Sequence, residues 1–123
     1  MNVLGDKRVA GTVMLNLQNG TKKFLMHMVG EQVELATTTF SNDRTGLATI
    51  LQLFKETAHL DVTTIKLVEL TNGHIGEANI PLFVFETNED GFNSELPREY
   101  SWEDGERFSE IIQDYDIEGV PFF

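Results

Sequence analysis

Hydrophobic and polar residues alternate in short blocks along most of this chain, and the spacing changes to that of a helix in two places. Residues Arg8 to Leu17 alternate loosely around Val9, Gly11, Val13 and Leu15, which predicts a first strand. Gln18-Asn19-Gly20-Thr21 supplies residues that accept positive φ in a tight hairpin turn. Lys23 to Val29, carrying Phe24, Leu25, Met26 and Met28, is the return strand. Gly30-Glu31 breaks it, and Gln32 to Phe40, with three threonines, reads as a third, strongly β-prone strand. Ser41-Asn42-Asp43 then offers side-chain oxygens to the orphaned amides of a helix start. Leu47, Ile50, Leu51, Phe54 and Ala58 form one apolar face, predicting a helix from Thr45 to His59.

The second half repeats this logic. Val62 to Leu70 reads as a strand turning at Thr71-Asn72-Gly73, and Ala78 to Thr87 pairs back with it. Pro81, which has no N–H to donate, marks a bulge or the beginning of that strand. Asn88 to Arg98 is acidic, holds Gly91 and Pro97, and reads as a loop. Glu99 to Trp102 is a short strand, and Glu103 to Asp114 a second helix that buries Phe108, Ile111, Ile112 and Tyr115. The predicted order is β-β-β-α-β-β-β-α: an α+β domain over residues 1–123, a three-layer sandwich with an antiparallel-rich sheet and two main helices.

Charge and composition narrow the function. Nine Lys and Arg against twenty Asp and Glu give a net charge of −11. Nucleic acid and anionic membrane are poor partners for such a chain, because both need clustered positive charge. No apolar run approaches the ~20 residues that span a bilayer, and the N-terminus lacks the long apolar stretch of a signal peptide. With no cysteine there is no disulfide framework and no thiol nucleophile. The expected location is cytoplasmic. Gly5, Gly11 and Gly46 form no phosphate-cradling motif, and the three scattered histidines form no metal motif. His27 reads as a core or cleft histidine, His59 as a helix-terminal one and His74 as part of a turn. Met14, Met26, Met28, Phe83 and Phe85 either line a pocket on the sheet or fill the core.

Phe54 to Val62, FKETAHLDV, resembles the end of a Nudix box, the G-x5-E-x7-R-E-U-x-E-E-x-G-U motif of the Nudix hydrolases, with U aliphatic. The close resemblance spans about nine residues, while the predicted element order resembles the Nudix α/β/α sandwich over nearly the whole chain. With Phe54 on the first aliphatic position, Glu56 matches the first glutamate of the E-E pair, and Leu60 keeps the closing aliphatic position. The second glutamate falls on Thr57, the glutamate before the aliphatic position on Leu53, and the arginine on Gln52. The earlier glutamate falls on Arg44, the opening glycine on Thr38 and the late glycine on His59.

In the family, glutamates on one helix face gather Mg²⁺ or Mn²⁺, which bridge the diphosphate and activate water. Here the resemblance leaves Glu56 as a weak or vestigial catalytic and metal-binding residue, with Leu53 and Thr57 bordering the ligand. Glu89, Asp90 and Glu95 of the acidic loop are candidates to approach the same cleft, or are solvated charges. The resemblance places Trp102 where the family carries a structural tryptophan. One reading is a catalytically weak or inactive module that binds a nucleotide or another phosphorylated small molecule. A second is a Mg²⁺- or Mn²⁺-dependent hydrolase of nucleoside diphosphate-linked substrates with a non-standard site. A third is a structural homodimer without a small ligand, suggested by the uncharged Gly119–Phe123 terminus.

Overall fold

Strand β1 (Lys7–Asn16) serves three partners, and the sheet is organised around it. A computed structural model of the chain describes residues 7–40, 45–75, 78–88 and 96–113. Along one side β1 runs parallel to β6 (Ala78–Asn88), from Ala10 opposite Leu82 to Asn16 opposite Asn88. On the other side its first half pairs antiparallel with β4 (Ala36–Phe40), and Met14–Asn16 pair with β2 (Lys22–Val29). Beyond Phe24, β2 leaves β1 and lies between β7 (Tyr100–Asp104) and β3 (Gln32–Glu34). β5 (Lys66–Ile75) pairs antiparallel with β6 and is the last described strand on that side.

Thr12 stands at this fork, between the residues of β1 that pair with β4 and those that pair with β2. Its side chain is fully buried, and its hydroxyl donates to the carbonyl of Leu25 at 2.9 Å. A side chain thus satisfies a backbone acceptor where the strands have parted and no ladder bond is available. The splay carries β2 and β7 away from the central strands as a two-stranded arm.

A helix covers each face. α1 (Gly46–Thr57) buries Ile50, Phe54 and Ala58 on the face carrying Val9, Val13, Leu25, Phe83, Phe85 and Tyr100. Its approach to β1 depends on Gly11: a Cβ there would stand 2.6 Å from Cγ1 of Ile50. α2 (Gly105–Ile112) starts at Asp104, whose Oδ1 accepts from the Arg107 amide at 2.8 Å. It buries Phe108 and Ile111 on the opposite face with Met14, Phe24, Met26, Leu82 and Val84. Phe108 stacks on Phe24 with centroids 4.1 Å apart and planes 8° from parallel. The result is the α/β/α sandwich expected, with a mixed sheet.

Several elements differ in detail from the expectation. The stretch Gln32–Phe40 is two strands, since β3 pairs with β2 and β4 with β1 across the fork. Thr45 caps α1, its Oγ1 accepting from the Ala48 amide at 3.0 Å; Ser41-Asn42-Asp43 lies outside the described residues. Val62–Thr64 is a single 3-10 turn capped by Asp61, so β5 starts only at Lys66. It then continues through Asn72-Gly73 and His74 to Ile75, because pairing with the apolar strand β6 overrides the local turn signal. Pro81 sits inside β6, one residue before the pairing with β1 begins, so its missing N–H breaks no bond to β1. The bulge lies instead between Leu67 and Glu69. Met14 and Met26 lie on the α2 face while Phe83 and Phe85 lie on the α1 face, so no single pocket is lined by all of them. Tyr115 and the terminal run 119–123 lie outside the described residues.

α1 ends with the amides of Ala58 and Leu60 both donating to the Phe54 carbonyl, at 3.2 and 3.1 Å. Between them His59 has φ 58°, the left-handed region that glycine enters most readily. His59→Gly therefore relieves a steric cost and is expected to raise stability by about 1 kcal/mol in urea denaturation. Thr12→Val keeps the shape but removes the donor to Leu25. It is expected to cost about 1–3 kcal/mol by the same measurement.

Candidate functional site

Helical geometry sets Leu53, Glu56 and Thr57 on one side of α1, at spacings of three and four residues. Leu53 is half-buried and packs against the core on the α1 side of the sheet. Glu56 is exposed, and Gln52 Nε2 donates to its Oε2 at 2.9 Å. The residue standing at the box arginine thus holds the remaining glutamate as an i, i+4 amide–carboxylate pair on the helix surface.

The facing wall comes from the β2–β7 arm. Residues directly opposite each other in a ladder share a face, and the register sets Leu25 against Trp102 and His27 against Tyr100. The His27 and Tyr100 rings lie 5.1 Å apart at 41°. Trp102 is half-buried and packs against the α1-side core. On the other side of β2, Glu34 lies opposite His27. The arm therefore carries two aromatic rings and an imidazole, of which Tyr100 reaches the Thr57 hydroxyl of the helix, while Glu56 is exposed on the helix surface.

Helix and arm are joined by hydroxyls. Thr57 Oγ1 donates to the Leu53 carbonyl at 2.7 Å, which uses its one proton. Tyr100 Oη lies 2.7 Å from the same oxygen and is therefore the donor in that bond. Burial pushes the Tyr100 phenol above its ordinary value of 10.0, and the charge of Glu99 adds to the shift. Tyr100 was not among the sequence candidates. Its signal was available in the alternation of the segment EYSWED, which sets Tyr100 and Trp102 on one face of a strand.

These donors do not suit a Mg²⁺ or Mn²⁺ cluster, which needs several converging carboxylate oxygens. Of the three positions on the helix face one is apolar and one is a hydroxyl already bonded to Tyr100, leaving Glu56 alone. Among the described residues no three His, Asp or Glu side chains gather closely enough to hold a metal ion. Arg44, Glu89, Asp90 and Glu95 lie outside the described residues.

No protein-family model matches the sequence, and no curated protein matches it. Solved structures match the fold. An Ap4A hydrolase of C. elegans superposes with a TM-score of 0.66 at 12% identity, over 88% of this chain and 86% of that one. RenU, a Nudix hydrolase from M. smegmatis, gives 0.69 at 11% identity, over 87% and 76%. The NUDIX domain of Shewanella oneidensis NrtR, solved with ADP ribose, gives 0.59 at 9% identity, over 89% and 79%. The chain has the Nudix fold.

The hydroxyl pair yields a test with a sign. Tyr100→Phe removes one hydrogen bond and leaves Thr57 bonded to Leu53, so it should cost about 1 kcal/mol. Thr57→Val strands the Tyr100 hydroxyl and should cost more, about 1–3 kcal/mol. Because Tyr100 keeps its proton in the native state while the unfolded chain ionises from about pH 10, the native state holds more protons in that window. Its contribution is fully present below pH 10.0 and is lost as pH rises towards the raised native value. Urea denaturation of wild type and Tyr100→Phe between pH 9 and 11 (roughly the range bracketing tyrosine ionisation) should show a decline that the variant lacks.

Proposed function

We propose that this chain is a cytoplasmic Nudix-fold module that binds a nucleotide or another phosphorylated small molecule and hydrolyses it weakly or not at all. The observation that carries this reading is the helix face on which Leu53 packs against the core, Thr57 is bonded to Tyr100 and only Glu56 presents a carboxylate. Diphosphate hydrolysis through bridging ions needs more acidic ligands than this face provides.

Binding does not require those ligands. Beside the buried Tyr100 stand the part-exposed indole of Trp102 and imidazole of His27, and α1 adds an exposed acid at Glu56. Aromatic surface favours a planar base, and the polar groups fix its orientation. The fold likeness to a domain solved with ADP ribose makes that compound the first ligand to try.

The test is a thermal-shift and calorimetric panel of ADP ribose, nucleoside triphosphates and dinucleotide polyphosphates, with Mg²⁺, with Mn²⁺ and with chelator, alongside a phosphate-release assay. At least one ligand should raise the midpoint equally with metal and with chelator, with little or no phosphate released. Glu56→Gln should leave stability and binding nearly unchanged, since Glu56 is exposed and its main partner is an amide. Metal-dependent turnover that vanishes in Glu56→Gln would instead establish the hydrolase reading.

A further inference from the structure

β5 pairs with β6 on one side, and no described strand pairs with the other. A ten-residue edge offers a row of backbone donors and acceptors to any strand that aligns with it. Protective devices are sparse here. The strand contains no proline, and Lys66 and Glu69 are the only Lys, Arg, Asp or Glu between Ile65 and Ile75. It also exposes two leucines, Leu67 at 41% and Leu70 at 58%. The register sets Leu67 opposite Phe85 and Leu70 opposite Phe83, so both lie on the α1 face of the sheet. Elsewhere the net charge of −11 resists self-association, whereas the charges of this edge sum to zero.

We propose that β5 is a homodimer edge, pairing antiparallel with β5 of a second copy about a two-fold axis at Leu67. The charge pattern selects this register. The bulge makes Val68 and Glu69 share one ladder position, so successive positions are held by Ile65, Lys66, Leu67, Glu69 and Leu70. An axis at Leu67 sets each Lys66 against Glu69 of the second copy, forming two opposite-charge pairs on one face of the joined sheet. On the other face Leu67 meets its own copy, and Leu70 meets Ile65 of the second copy. Moving the axis one ladder position, to Glu69, keeps the same faces together but would oppose the two carboxylates, and like charges directly opposite repel. The bulge, a common device for turning edges away, is tolerated because symmetry brings the same twist to both strands.

Sedimentation equilibrium of the wild type, Lys66→Glu, Glu69→Lys and the double reversal tests this interface. The wild type should dimerise reversibly, and amide exchange in β5 should slow as concentration rises. Each single reversal creates two like-charge contacts and should weaken the dimer roughly tenfold. The double reversal should restore it to within about threefold. Circular dichroism of the singles must match the wild type, so that lost association reads on the edge and not on folding. A wild type that stays monomeric over its soluble range overturns the proposal. Folded single reversals that dimerise like the wild type, or a double no better than the singles, overturn it as well.

Discussion

The fork between β1 and β2 is the constraint on which the rest of the molecule depends. β1 has two edges and three partners, so β2 must part from it where β4 begins, and the parting exposes backbone groups inside the protein. The buried Thr12 hydroxyl bonded to Leu25 lets the fork exist without an unsatisfied acceptor. The divergence carries β2 and β7 away from the central strands, and the end of α1 lies beside the gap. Gly11, the neighbour of Thr12, lets α1 approach closely enough to use it. Adjacent residues therefore set the parting of the strands and the seating of the helix.

The tie between helix and arm is made of hydroxyls. Ions that bridge carboxylates are exchangeable and bring their own charge to a substrate. A tyrosine–threonine bond is neutral, short and internal, and it holds the same two elements together without a ligand. Leu53 extends the argument, because its packing against the core couples that position to folding and away from solvent-facing coordination. Glu56 is left on the outside, paired with Gln52. The α1 face thus contributes to folding at two positions and to solvent chemistry at one.

Much of this was legible in the residues. Both helices followed from spacing, since burial imposes period on sequence, and the element order suggested three layers, but which apolar residues face which helix did not. The alignment of nine residues with a worn motif pointed to a fold that the superpositions bear out at 9–13% identity. What was not legible depended on partners distant in sequence. The break at Leu35 follows from which strand each half pairs with, and nothing local to Gln32–Phe40 encodes it. Asn72-Gly73 carries a turn signal that the neighbouring strand overrides. The role of Thr12 appears only once Leu25 is seen to part from β1 while staying paired with β7.

The candidate site and the β5 edge stand at opposite ends of the sheet. Along the path β7-β2-β1-β6-β5, the aromatic wall of the cleft belongs to the first two strands and the exposed leucines to the last. In the dimer proposed above, a second copy extends the sheet away from the fork and leaves α1 and the β2–β7 arm of each copy uncovered. β5 takes no part in the fork, so pairing at that edge and the parting of β2 from β1 are set by different residues.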